Sequence, residues 1–491
     1  MRVATLRAAG AALAAAVLVS CAGAPPAPPP ADLARDTAGQ ITADAMYVHL
    51  RALQEIADAN GGTRAEGTPG YDASVDYVVK VLRDSGFDVQ TPEFERVGIT
   101  RGGNPGLTVA GRTFPAEQAS LLHTTPRGGL TAITLRPPKP AGCTAADYGT
   151  VKVAGAIAVV DDLGCSVVVK HDVAVGKGAV GLLVVSPPRP NGSPAGLYPE
   201  GYYRGLQVPV GIITPDADAA LRRTNAPVRL VLDRQPVAVS SRNVVAQTGS
   251  GDPRNVVMVG AHLDGIAGGP GINDNGSGVA AVLATAAALG AQPGTANAVR
   301  FAFWGSEEPG VAGSSAYVRA LTRDELNDIA LYLNVDMIGS PNAGYFTYDG
   351  DQSAQPSPDV SPADVPEGSA GIERMLAGYL SLAGVRPADM PLSKTRDDSP
   401  FLRAGVPIGG VTTGSSQRKT EVQARLWGGR AGVAFDPNYH TRRDDITNIN
   451  RDAIAVMGPA VGFAVATYAQ STDGVNGVPP RDDRRRTPAG P

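Results

Sequence analysis

Apolar side chains recur every three or four positions at Met46, Leu50, Leu53 and Ile56. That spacing puts them on one face of a helix and predicts helix over residues 42–59. A second helix is predicted over 71–85, beyond the turn-forming run Asn60-Gly61-Gly62-Thr63. Between residues 101 and 243 the pattern becomes short β-branched runs broken by Pro and Gly, such as Ala156-Ile157-Ala158-Val159-Val160 and Gly181-Leu182-Leu183-Val184-Val185. This is the signature of a separate β-rich module inserted into the chain. After Asn243, strands predicted over 256–259, 299–304 and 329–335 alternate with helices, among them a small-residue helix over 278–289. Such alternation predicts an α/β fold, a sheet with helices on both faces. Beyond Gln470 the chain turns Gly/Pro-rich and charged, ending Arg481-Asp482-Asp483-Arg484-Arg485-Arg486, and is expected to be a disordered tail over 471–491.

The first apolar run, over residues 8–19, follows Arg2 and Arg7. It is shorter than the ~20 residues that span a bilayer and fits the core of a signal peptide, predicted over 1–20. The run closes on Leu18-Val19-Ser20-Cys21, which resembles the lipobox of bacterial lipoproteins. Cys21 would then carry lipid, and the exported chain would be anchored on the extracytoplasmic face of the cell membrane. The alternative is cleavage after Ala22-Gly23-Ala24, which would release a soluble secreted protein. Residues 21–40 are expected to act as a Pro-rich tether. With Cys21 lipidated, Cys143 and Cys165 remain as an even pair in an oxidising compartment. A disulfide between them would contribute on the order of 3 kcal/mol. The alternative is two buried free thiols.

Composition narrows the functional classes. The 491 residues carry 43 Lys+Arg against 47 Asp+Glu, a net charge of −4, without the basic excess of a nucleic-acid binder. With 43% hydrophobic and 18% charged residues the chain can build a sizeable core, which excludes wholesale disorder.

In open α/β sheets functional groups gather beyond the carboxyl ends of strands, and here those ends carry metal-ligand chemistry. One strand delivers His262-Leu263-Asp264, and a loop then brings Gly271-Ile272-Asn273-Asp274-Asn275-Gly276-Ser277-Gly278. The others deliver Gly305-Ser306-Glu307-Glu308 and Asn334-Val335-Asp336-Met337, and Asp436-Pro437-Asn438-Tyr439-His440 follows far downstream. Two imidazoles and several carboxylates at one sheet edge predict a binuclear zinc site. Three carboxylates, Asp274, Glu308 and Asp336, cancel three of the four charges of two Zn²⁺, and a bridging hydroxide cancels the last. Two metals that polarise a carbonyl and supply hydroxide at neutral pH suit amide hydrolysis. A carboxylate free of metal must then move the proton, and adjacent Glu307 and Glu308 can divide the two roles.

These motifs resemble those of the co-catalytic zinc aminopeptidases, typified by the secreted Streptomyces and Vibrio enzymes. The resemblance covers nearly the whole mature chain. It includes Gly67-Thr68-Pro69-Gly70-Tyr71, Ser85-Gly86-Phe87-Asp88-Val89-Gln90 and Trp427-Gly428-Gly429, while the insert resembles a protease-associated domain. It implies a zinc-peptidase (phosphorylase/hydrolase-like) mixed sheet flanked by helices, assembled from residues 41–100 and 241–470 and interrupted by the insert over 101–240. It further implies two Zn²⁺ per subunit, one on His262 and Asp336, the other on Glu308 and His440, with Asp274 bridging. Asp264 would fix the imidazole of His262, Glu307 would be general base and then acid, and Tyr439 would donate to the oxyanion. Glu307 and Asp336 would hold the substrate's free amino group.

The implied activity is removal of N-terminal residues from peptides and proteins at the cell surface. Where relatives often read Gly-Arg-Ser-Asp before a Pro-Phe pair, this chain reads Lys394-Thr395-Arg396-Asp397-Asp398-Ser399-Pro400-Phe401, which aligns the family's arginine with Thr395 and sets Arg396 one place along, without assigning it a contact to substrate. His49, His123 and His171 have no carboxylate motif beside them and are expected to be structural or solvated, and Arg442-Arg443-Asp444-Asp445 reads as a solvated turn. Two other functions share the sheet. A glutaminyl cyclase would use one zinc, and a carboxypeptidase would need a cationic clamp for the substrate carboxylate. A third reading, a peptidase-like receptor without catalysis, would be expected to have lost ligands, whereas this chain keeps all five and Glu307.

Overall fold

The computed structural model describes residues 30–99, 103–120, 122–188, 205–354, 357, 360–474 and 476–488. The expected signal peptide, Cys21 and the first part of the tether, residues 21–29, lie outside them. Eight strands form the main sheet, in the order Asp88–Gln90, Val244–Gln247, Asn297–Trp304, Asp252–His262, Ile329–Val335, Ile408–Thr412, Phe346–Tyr348 and Ala388–Met390. The central four, from Asn297–Trp304 to Ile408–Thr412, run parallel, and antiparallel pairings flank them on each side. Val256 to Val259 and all of Ile329–Val335 are buried, the continuous apolar run of a strand covered on both faces. The parallel strands therefore all end at one edge.

Helices cover both faces. Ala43–Ala59 starts at Thr42, whose side chain accepts from Ala45 N, and Met46, Leu50 and Leu53 point into the core as the periodicity predicts. The second predicted helix starts two residues early, at Pro69, because Thr68 caps it and proline suits a first helical position. The helix predicted over 278–289 has those bounds, and the strands predicted over 256–259 and 299–304 extend to Asp252–His262 and Asn297–Trp304. Helix Arg451–Gln470 is long and apolar enough to cross a membrane, yet it is mostly buried against this core.

Two expectations fail at the ends of the chain. The tether expected over 21–40 is a helix from Pro30 to Gln40. Its face of Ala34, Thr37 and Ala38, extended by Ile41, is buried against helix Arg451–Gln470. Gly458 and Gly462 make room, since a Cβ on Gly462 would sit 2.0 Å from Ile41 and one on Gly458 2.6 Å from Met46. The tail expected to be disordered is docked over residues 476–488. Arg484 and Arg486 are buried and donate to Asn327 O at 2.6 Å and Ile329 O at 3.0 Å, satisfying carbonyls at the end of helix Arg323–Asp328. A basic run that reads as solvated is here a set of backbone ligands.

The insert leaves and rejoins the main domain through a ribbon in which Glu93–Ile99 pairs antiparallel with Pro236–Arg242. It holds a five-stranded sheet and a four-stranded sheet, and adds helices Val167–Gly176 and Pro215–Leu221 to its expected strands. A disulfide joins Cys143 and Cys165. The buried Lys170 ties the same loops, donating to Ala141 O at 2.7 Å and Leu163 O at 2.5 Å.

Candidate metal centre

The carboxyl ends of three adjacent parallel strands place His262, the Glu307-Glu308 pair and Asp336 around one point. The loops carrying Asp274 and His440 close over it. His262 Nε2 lies 3.3 Å from Asp274 Oδ1 and 3.4 Å from Asp336 Oδ1. His440 Nε2 lies 3.1 Å from the other oxygen of Asp274 and 3.0 Å from Glu308 Oε2. Four ligands at zinc bond lengths of about 2.0–2.1 Å stand about 3.3 Å apart at the corners of a tetrahedron. The side chains thus form two triads at metal-ligand spacing, with the two oxygens of Asp274 split between them.

The donors also fit a cation chemically. Asp274 Oδ2, Glu308 Oε1 and Asp336 Oδ1 are buried without a hydrogen-bond partner. Burial pushes Glu308 up, Asp274 pushes it further, and His440 only partly offsets them, leaving it at about 7. Burial works against charge on His440, but Asp274 and Glu308 reverse this and raise it to about 10. Glu307, Asp274 and Asp336 likewise overcome burial to hold His262 well above the usual imidazole value. The cage carries surplus negative charge.

The centre opens into a cleft of about 530 Å³ lined by Glu307, Tyr439, Tyr348, Met390 and Arg396, among others. Burial raises the Glu307 carboxyl well above its ordinary range, with Asp397 and Glu308 adding to the effect against His262. Tyr439 stacks on His440 with ring centroids 3.8 Å apart, and burial followed by Asp274 and Glu308 keeps its hydroxyl protonated. Arg396, one position beyond the family's arginine, is in the cleft wall, its guanidinium 4.1 Å from the Tyr348 ring centroid and its Nε 3.2 Å from Asp398 Oδ1. His49 pairs with Tyr77, and His171 accepts the amide of Gln207; neither joins the cluster.

Two expectations need correction. The carboxylate of Asp264 was expected to orient His262, but it lies 3.9 Å from Nδ1, and the backbone carbonyl of Asp264 takes that hydrogen bond at 3.0 Å. The carboxylate instead accepts the amides of Glu307 and Glu308 at 3.0 and 3.2 Å. The fully buried carboxylate is satisfied by these two consecutive N–H groups, one on each oxygen. Asp444, expected in a solvated turn, is buried and accepts the amides of Asn273 and Asp274, each at 2.9 Å.

Sequence reasoning also missed Arg64. It is wholly buried and donates to the carbonyls of Leu263, Pro270 and Gly271, binding the strand end of His262 to the loop of Asp274. No local pattern signals either contact, because the partners are far apart in the chain.

The peptidase family M28 profile matches residues 243–465, and the PA domain profile matches residues 128–221. The chain is 46% identical over 461 residues to the probable lipoprotein aminopeptidase LpqL of Mycobacterium tuberculosis, covering 94% of this chain and 91% of that one. It is 38% identical over 449 residues to an aminopeptidase of Pseudomonas aeruginosa, covering 88% and 82%. Its fold is similar to that of an aminopeptidase from Aneurinibacillus sp. strain AM-1, with TM-score 0.67, 22% identity and 91% and 98% of the chains covered. It is also similar to that of BSAP, a zinc aminopeptidase from Bacillus subtilis, with TM-score 0.61, 22% identity and 87% and 94% covered.

Replacing Asp444 by Ala strands two buried amides, and this is expected to lower stability by about 2–4 kcal/mol and weaken the Asp274 loop's hold on metal. Urea unfolding and zinc retained after dialysis would measure the two effects. Unchanged values in both would show that Asp444 does not support the loop.

Proposed function

The chain belongs to peptidase family M28, and on that footing we propose that it is a two-zinc aminopeptidase acting on the N-termini of peptides and proteins. The observation that carries this reading is the division of Asp274 between two imidazoles, each with a second carboxylate. On this reading His262 and Asp336 hold one ion, Glu308 and His440 hold the other, and Asp274 bridges. Zinc held there supplies Lewis acidity toward the scissile carbonyl and an acidified water.

The protein's own residues do the rest. Glu307 takes the proton of the attacking water and returns it to the leaving amine, since it is the carboxylate in the cleft that belongs to neither metal-ligand triad. Tyr439 remains protonated and can donate to the oxygen on which charge develops. Asp264 acts through backbone, fixing Glu307 and Glu308. Glu307 and Asp336 hold the substrate's ammonium group, which makes a free N-terminus part of recognition. Retention of every ligand type and of Glu307 favours an enzyme over a receptor.

We also take the lipobox at Cys21 as the anchor that places the enzyme on the outer face of the cell membrane, in keeping with the mycobacterial relative described as a lipoprotein. Residues 101–240 are its protease-associated insert.

Glu307→Gln is expected to reduce turnover of an aminoacyl-p-nitroanilide at least a hundredfold with zinc content unchanged, consistent with the usual size of general-base effects of about 10²–10⁴. Wild-type activity in this variant would remove Glu307 from the reaction. N-acetylated substrates should resist the wild-type enzyme, and their cleavage would contradict an exopeptidase. Cys21→Ala should shift the protein from the membrane to the soluble fraction, and persistent membrane association would argue against lipid at this position.

A further inference from the structure

Strand Asn297–Trp304 ends in a hook, Gly305-Ser306-Glu307-Glu308, that delivers the base and a metal ligand side by side. Ser306 has φ +59°, a left-handed conformation that residues other than glycine rarely adopt. Such a backbone persists only where its surroundings over-determine it. Three groups from outside the hook do so. Asp264 holds the amides of Glu307 and Glu308. Asn243 Oδ1 accepts the amide of Gly305 at 3.0 Å. Glu66 accepts the hydroxyl of the fully buried Ser306.

Glu66 is itself gripped from the other side. Arg96 Nε lies 2.8 and 3.0 Å from its two oxygens, and Arg96 Nη2 bonds to Oε2. Arg96 sits on Glu93–Ile99, the outgoing strand of the ribbon that connects the insert. Asn243 directly follows Pro236–Arg242, the returning strand. Both strands at the root of the insert therefore reach the hook, one directly and one through Glu66.

We propose that Glu66 is a positioning residue for the reaction: anchored by Arg96 at the root of the insert, it fixes Ser306 and so aims the Glu307 carboxylate into the cleft. The proposal rests on the reading of Glu307 as the base. Ser306 donates to Glu66, Glu66 is held by Arg96, and neither belongs to the metal-ligand triads. Losing the relay frees Ser306 and with it the start of the Glu307 backbone, whereas Glu308 is one residue further on and its side chain keeps its place beside His440. The consequence falls chiefly on turnover and leaves metal binding in place, while Asp336 still holds the substrate's ammonium group.

Ser306→Gly tests this directly, because glycine adopts φ +59° without strain and the variant keeps its backbone while losing the hydroxyl. Its kcat is expected to fall about ten- to hundredfold, the scale set by small misplacements of reacting groups. Zinc per chain should stay within about twofold of wild type, and KM for an aminoacyl-p-nitroanilide should rise by less than kcat falls, because Asp336 still holds the ammonium group. Glu66→Ala should do the same, and the double variant should be no slower than the slower single one, since both break one relay. Unchanged kcat in Ser306→Gly, effects that multiply in the double variant, or zinc loss that tracks kcat would each overturn the proposal. Glu307→Gln measured alongside separates the two layers. If it stays active, the assignment of the base has failed. If it is inactive while Ser306→Gly and Glu66→Ala run at full rate, only the relay has failed.

Discussion

Buried negative charge at one edge of the sheet is the constraint around which the rest of the molecule is arranged. Asp274, Glu308 and Asp336 are brought within about 3.5 Å of two imidazoles in a place largely shielded from water, an arrangement that favours added positive charge. Such a concentration of carboxylates does not assemble by itself. It is imposed by backbone, and the parallel strands supply that backbone by ending together at the site.

The surrounding shell works through main-chain groups. Asp264 holds the Glu307 and Glu308 amides, Asp444 holds those of Asn273 and Asp274, and Arg64 collects three carbonyls from the two loops. Each pins a peptide next to a functional side chain and leaves that side chain to face the site. Positive φ at Ser306, Met337 and His440, each at or beside a site residue, shows the same thing from the backbone. These conformations are held by their neighbours, a pattern that belongs to functional loops. Among the holders of the hook are residues at the root of the inserted module, so the insert is mechanically continuous with the strand end that carries Glu307.

Much of this was legible in the chain because the relevant signals are local. Helix Ala43–Ala59 announces itself through Met46, Leu50 and Leu53, and the site's motifs are short strings at strand ends, where alternation of strand and helix predicts that chemistry collects. What could not be read is non-local. Asp444 looks like half of a solvated acidic pair until the fold brings the Asp274 loop against it. Arg484 and Arg486 look like a disordered basic end until the carbonyls of Asn327 and Ile329 appear beside them. The helix Pro30–Gln40 hides in a stretch of alanines among polar residues, and its burial depends on Gly458 and Gly462 far away. In each case the deciding partner is a backbone group or a missing side chain, and neither leaves a pattern in the sequence.

The central claim is that one carboxylate, Asp274, is shared between two cations. Anomalous diffraction collected at the zinc edge from crystals of the zinc-loaded protein tests it most directly. Two peaks are expected, one between His262 and Asp336 and the other between Glu308 and His440, with an oxygen of Asp274 facing each. A single peak, or two of which only one meets Asp274, would contradict the account.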